Sequence, residues 1–147
     1  AIIMKNSALN SWRRKLVCDT SKIMPIQNIA DFAKPHGGLW ACAVESDDTT
    51  AWARFVESED MDFKSLDSSF DFEIQDNARI LRLHTKYDYE GMMEYYGREE
   101  IWGEYPDFEK ILKDFDVIDF KVKELRDELY GWDIDCILVL NPSVIQT

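Results

Sequence analysis

Hydrophobic and polar residues alternate along parts of this chain and cluster along others, and the changes of period mark its elements. Ser69-Phe70-Asp71-Phe72-Glu73-Ile74 places an apolar side chain at every second position, the period of a half-buried strand. Ile80-Leu81-Arg82-Leu83-His84 follows after the turn-like Asp76-Asn77, so these two strands are expected to pair as a hairpin. Leu39-Trp40-Ala41-Cys42-Ala43-Val44 is a continuous apolar run bounded by Gly37-Gly38 and by Glu45-Ser46-Asp47-Asp48, which predicts a buried strand leading to a helix cap. Further strands are expected at 14–18, at 115–120, and at 134–140, the last closed by Asn141-Pro142.

Elsewhere the period lengthens to that of a helix. Trp52, Phe55 and Val56 form a core-facing stripe on a helix expected to start at Thr49 or Thr50 and to end near Glu57. Tyr89, Met92, Met93 and Tyr96 follow the i, i+3, i+4, i+7 pattern over 87–96, with Gly97 as the stop. A short helix is expected over 106–113, with Pro106 in its first turn and Phe108, Ile111 and Leu112 inward, and another over 122–129. The result is about six strands and about four short helices in no regular alternation, which predicts an α+β fold with mixed, largely antiparallel strands. Residues 1–12 lack a clear period and are expected to be an arm or poorly ordered leader before one α+β domain over 13–147.

Composition fits that reading. Of the 147 residues, 46% are hydrophobic and 13% aromatic, enough apolar surface to offset chain entropy. The formal charge is −12, and the basic residues are scattered apart from Arg13-Arg14-Lys15, so a phosphate backbone would be repelled and nucleic-acid binding is not expected. Three cysteines, Cys18, Cys42 and Cys136, are too few and too dispersed for a disulfide framework, which points to reduced thiols and a cytoplasmic setting. Ala1-Ile2-Ile3-Met4 is too short for a signal peptide's apolar region, and no run is long enough to span a bilayer, so no membrane partner is expected.

Chemistry is sparse. Lys34-Pro35-His36-Gly37-Gly38-Leu39-Trp40 combines two glycines that permit close backbone approach with an imidazole that titrates near neutral pH, the makings of a ligand loop or of a tight turn into a buried strand. Cys42 lies nearby, so a Cys/His nucleophilic pair is conceivable, but nothing marks an orienting residue or an oxyanion hole, and a structural buried thiol is the simpler reading. Two histidines and three dispersed cysteines lack zinc-ligand spacing, and no metal is expected. Glu57, Asp133 and Asp135 border apolar segments where burial would raise a carboxyl pKa; Asp133 and Asp135 are two apart and share one strand face.

Taken together, Arg14-Lys15-Leu16 with Thr20-Ser21, the Lys34–Trp40 phrase, Trp52 with Glu57, and Tyr130-Gly131-Trp132-Asp133 resemble a family of small phage and bacterial proteins similar in overall pattern to ADP-ribosyltransferase-like domains. The resemblance extends over roughly residues 15–145 and carries no single specific motif. It implies split sheets enclosing an NAD cleft, with a basic or imidazole residue on the first strand, a hydroxyl residue on a middle strand and a late glutamate. Here those positions fall on Cys18, on Cys42, and on Asp133 or Asp135, departures that weaken hydrogen bonding to the nucleotide.

Two functions follow as expectations. In one, NAD binds beside His36, Gly37, Gly38 and Trp40, with Cys18 and Cys42 at the family's positions, Trp40 or Trp52 walling the nicotinamide, and Glu57, Asp133 or Asp135 stabilising an oxocarbenium-like ribose. In the other, the scaffold is not an enzyme and offers acidic surface and exposed aromatics to a basic host protein. The first needs a concave pocket and the second an exposed aromatic patch ringed by acids.

Overall fold

A computed structural model describes residues 3–6, 23–32, 34–43, 70–121 and 136–146. The apolar run after the two glycines is a strand, Leu39–Ala43, and the alternating segment is another, Phe70–Ile74. They are β2 and β3; β1, Ile3–Asn6, pairs antiparallel with both, Met4 standing opposite Ala43 on one side and Phe72 on the other. A segment expected as a loose arm therefore contributes an inner strand, because its backbone donors and acceptors have partners on two sides. The remaining strands of the main sheet are β4 (Ile80–Leu83), β7 (Val117–Phe120), β8 (Cys136–Val139) and β9 (Ile145–Gln146). Their order is β4-β7-β8-β2-β1-β3-β9, seven strands among the described residues. All neighbours are antiparallel except β4 and β7, so the fold is α+β with mixed, mostly antiparallel strands.

The expected hairpin between β3 and β4 does not form. Asp76-Asn77 does turn the chain, with the Ala78 N–H donating to the Gln75 carbonyl at 3.0 Å, but β3 joins β1 and β9 while β4 runs parallel to β7. A turn signal reverses direction without choosing a partner; Phe72 and Ile74 of β3 join one buried cluster and Ile80 of β4 packs against it without their strands pairing.

That arrangement constrains the sheet's shape. Five inter-strand steps separate β4 from β3, about 24 Å if the sheet were flat. The connection from Ile74 to Ile80 reaches about 21 Å at full stretch, and it contains a turn. The sheet therefore curls until its two ends approach. Inside the curl, Leu39, Ala41, Phe72, Ile74, Val117, Ile137, Val139, Val144 and Ile145 form one buried cluster, with Ile80 packed against it. The alternate positions, Cys42, Leu83, Ile118, Phe120, Cys136 and Leu138, face outward under the helices. Both sides of β8 are covered, which is why Cys136-Ile137-Leu138-Val139 reads as an unbroken apolar run.

Parallel strands need a crossover, and the chain between β4 and β7 supplies it. Helix α1, Lys86–Tyr96, begins with a capping box: the Asp88 N–H donates to Thr85 Oγ1, and the Thr85 N–H donates back to the Asp88 carboxylate. The carboxylate also accepts from the His84 N–H, and this bond, with the Thr85 donors, holds Asp88 below its ordinary pKa against an opposing desolvation. Gly97 ends α1 as expected, but in extended backbone (φ −74°, ψ 146°), so the chain passes directly into β5, Gly97–Glu100. β5 forms a two-stranded hairpin with β6, Gly103–Pro106. This corrects the expected helix at 106–113: Pro106 closes a strand, Asp107 caps, and helix α2 covers only Phe108–Ile111. Tyr89 and Met92 of α1 and Phe108 and Ile111 of α2 fill the outer cluster. The expected strand at 14–18 and helices at 49–57 and 122–129 lie outside the described residues. No helix among the described residues is long and apolar enough to cross a membrane.

A buried carboxylate fastens the open side of this assembly. Asp116 accepts from the Arg79 backbone N–H at 2.9 Å and from its guanidinium at 3.1 and 3.3 Å, and from Asn141 Nδ2 at 3.1 Å. The Asp116 carbonyl accepts from the Leu140 and Asn141 N–H groups. One residue thus ties the entrance of β4 and of β7 to the exit of β8. Burial pushes the Asp116 carboxyl up, but these donors together outweigh it and hold the group below the usual carboxylate range. Asp116→Ala should cost about 2–4 kcal/mol, because it strips partners from donors positioned around a buried acceptor, and should lower Tm by roughly 6–12 °C. Since the folded-state pKa is depressed, the contribution is complete above the unfolded value of about 3.9 and is lost as pH falls through the folded one. Urea titrations of wild type and variant at several pH values should show a constant gap above about pH 5 that narrows below about pH 4.

Candidate functional site

The glycine-rich loop has a structural explanation. His36 forms an antiparallel bridge with Gln27, its N–H donating to the Gln27 carbonyl at 2.8 Å and its carbonyl accepting from the Gln27 N–H at 3.0 Å. Gly37 and Gly38 follow at φ 79° and 71°, backbone that side chains with a Cβ rarely adopt. A Cβ on Gly37 would run into the Pro25 carbonyl, and one on Gly38 would lie 2.8–2.9 Å from Ile26 Cδ1, Leu138 Cδ1 and the Val139 carbonyl. The close approach these glycines allow is thus to the chain's own 24–27 segment and to β8. The His36 side chain is exposed at the rim.

Trp40 is half-buried and stacks on Phe120, with ring centroids 6.5 Å apart and an interplanar angle of 27°, while the Lys34 ammonium lies 6.0 Å from its ring. Cys42 is 2% exposed in the outer cluster. Cys18, Trp52, Glu57, Asp133 and Asp135 lie outside the described residues. Of the expected site, the structure brings together His36, Gly37, Gly38 and Trp40 along one short stretch and explains the two glycines by packing.

A different feature was missed from sequence. The β5–β6 register pairs Gly97 with Pro106, Arg98 with Tyr105, Glu99 with Glu104 and Glu100 with Gly103, leaving Ile101-Trp102 as the two-residue tip. Tight hairpin loops favour Asn, Asp and Gly. Here the two central positions carry large apolar side chains, 85% and 81% exposed. The exposed Glu99 and Glu104 stand directly across from each other just behind the tip, a like-charge pair that works against the hairpin.

What holds the hairpin is Arg98. Its Nη1 donates to Asn28 Oδ1 at 3.1 Å and to the Pro106 carbonyl, its Nη2 to the Ile29 and Phe32 carbonyls at 2.6 and 3.0 Å, and its Nε to Glu100 at 3.0 Å. The guanidinium also lies 5.7 Å from the centre of the Tyr105 ring. Asn28 extends the clamp to α2: its Nδ2 donates to Asp107 at 2.8 Å, and its Oδ1 accepts from the Phe108 N–H at 2.8 Å. The tip has its own tie, because the Trp102 N–H donates to Asp31 Oδ1 at 2.8 Å. Asp31 reaches it from the turn at Ile29–Phe32, where it adopts φ 55°, a conformation Asp tolerates better than most residues. Phe32 on the same turn is exposed. The backbone of the tip is therefore fixed while its two side chains point into solvent. Gly97 and Gly103 flanking a short charged run were the only sequence hint of this hairpin.

One further polar pair stands where the parallel strands end. His84 Nε2 lies 2.9 Å from Asp119 Oδ2, both partly exposed. An imidazole held by a carboxylate is one part of a general-base arrangement. Among the described residues no group of three His, Cys, Asp or Glu is placed to hold a metal.

The packing account of the glycine loop is open to direct test. Gly37→Ala should lower the urea midpoint at unchanged slope by the equivalent of about 2–3 kcal/mol, because a left-handed backbone and a backbone clash act together. His36→Ala should stay within about 0.5 kcal/mol of wild type, as exposed substitutions do. A Gly37→Ala variant as stable as wild type would mean that the loop is not packed against the 24–27 segment. Comparison of the chain with protein-family models, with curated proteins and with solved structures finds no match in any of the three.

Proposed function

We propose that this chain is a non-enzymatic binding module that docks a basic protein partner through the β5–β6 hairpin. The observation that carries the reading is the tip itself, two bulky apolar side chains more than four-fifths exposed on a backbone held by Arg98 and Asp31. Aromatic side chains presented this way are the usual energetic anchors of protein interfaces. A fixed backbone reduces the ordering cost of binding. The surrounding charge selects the partner: Glu99, Glu104 and Asp31 lie close to the tip, on a chain with a net charge of −12. Lys or Arg from a partner would relieve the Glu99–Glu104 repulsion, and the long-range field would speed encounter.

The alternative, an ADP-ribosyltransferase-like domain that binds NAD, rests on the sequence resemblance. Its described residues support it less, since Gly37 and Gly38 are packed against the chain's own backbone and Cys42 is buried.

Selection of displayed peptides on the wild-type domain, with counter-selection on an Ile101→Ala/Trp102→Ala variant, separates the readings. Enriched sequences should combine Lys or Arg with an apolar residue, and should bind the variant at least tenfold more weakly at unchanged Tm. A tenfold loss corresponds to about 1.4 kcal/mol, within the range of one interface anchor. Binding should also weaken as salt rises. Enrichment of acidic sequences, or equal binding to both proteins, would sink the proposal. A thermal scan with NAD adds the opposite arm: ligand at 100 times its Kd stabilises by about 2.7 kcal/mol, a rise of roughly 5–10 °C. Such a rise would favour the nucleotide reading instead.

A further inference from the structure

The register of the central sheet brings two cysteines together. β2 and β8 pair antiparallel with Leu39 opposite Val139, Trp40 opposite Leu138 and Ala41 opposite Ile137. The paired rows end at Ala41 and Ile137, and the same register carried one step further sets Cys42 across from Cys136, the first residue of β8. Both side chains belong to the outer cluster beneath the helices, so they lie on the same face of the sheet. Both are buried, 2% and 9% exposed, and both are reduced.

Directly opposed residues on antiparallel strands have Cα atoms about 4.5 Å apart in a non-hydrogen-bonded pair and about 5.5 Å apart in a hydrogen-bonded one. Either spacing falls within the roughly 4.4–6.8 Å found across disulfides. At that spacing a disulfide is within reach of two facing thiols.

We propose that Cys42 and Cys136 are a cross-strand redox pair that closes to a disulfide when the protein meets a peroxide. In the first step one thiolate attacks the O–O bond of hydrogen peroxide. An S–O bond forms, the O–O bond breaks, and the departing hydroxide takes up a proton as water, leaving a sulfenic acid. In the second, the facing thiol gives up its proton and its sulfur attacks the sulfenic sulfur. The S–S bond forms, the S–O bond breaks, and a second water leaves. Two thiols and one peroxide thus become one disulfide and two waters, the sulfurs losing the two electrons that the peroxide gains. Apolar burial disfavours the thiolate and slows its oxidation, so the reagent that suits a pair beneath packed helices is a small, uncharged one such as peroxide. The bond would fasten β2 to β8 one row beyond their last paired residues, where β2 already pairs with β1 and Cys42 stands opposite Lys5.

The test uses the whole wild-type chain. Folded protein is treated with hydrogen peroxide, quenched, denatured in an alkylating agent and mapped by mass spectrometry before and after reduction. Of the three thiols in the chain, one should remain alkylated, on Cys18, and a peptide pair joining Cys42 to Cys136 should be two hydrogens lighter than its reduced form. A Cys18→Ser variant should form the same bond in the monomer, and a dithiol reductant should reverse it. Three alkylated thiols under conditions that oxidise the unfolded chain would overturn the proposal. So would a bond to Cys18, a disulfide-linked dimer, or sulfinic acid on either cysteine in place of the bond.

Discussion

The short connection between β3 and β4 is the constraint on which the rest of the structure depends. Residues adjacent in sequence were placed five strands apart, and a chain segment that contains a turn joins them. Only a strongly curled sheet satisfies both facts, and curling creates an inside. Side chains from β2, β3, β4, β7, β8 and β9 meet there in one apolar cluster, while the alternate residues of the same strands are left for the helices to cover. The Asp116 clamp stands next to this closure. It replaces the water that the buried carboxylate loses with four donors from Arg79 and Asn141 and so makes burial of a charge tolerable.

The crossover that joins the two parallel strands carries the feature with the strongest functional claim. A helix alone would have been enough to return the chain to β7, yet a hairpin is inserted between α1 and α2 and braced by an arginine that satisfies three backbone carbonyls. The bracing goes to a tip that disobeys local preference twice, with apolar residues where turn formers belong and with two glutamates opposed across the ladder. Local rules are broken most readily where another molecule supplies the compensation, and in the proposed reading that molecule is both apolar and basic.

The glycine loop illustrates the opposite situation. Glycines beside a histidine and a tryptophan suggest ligand contact when only their sequence is visible, because close approach is what glycine allows. In the fold the approaching atoms are Pro25, Ile26, Leu138 and Val139. The same stereochemical freedom is used for packing, and the left-handed dihedrals steer the chain from the Gln27 bridge into β2.

Periodicity alone determined much of the local structure. The strands at Leu39–Ala43, Phe70–Ile74, Ile80–Leu83 and Cys136–Val139 and the helix Lys86–Tyr96 were legible because their side-chain patterns report which faces are buried, and their mixture supported an α+β fold. Ile3–Asn6 was not legible, since a four-residue strand gains its stability from two neighbours that the sequence does not point to. Pro106 was read as a helix start because its fixed φ suits the first turn equally well as a strand end. Partnering was the step that only the tertiary structure decided: the parallel union of β4 with β7, the antiparallel pairing of β2 with β8, and the grip of Arg98 on a turn some seventy residues earlier. Secondary structure follows from interactions along a few residues, whereas pairing depends on which distant surfaces bury each other best, and no local pattern encodes that choice.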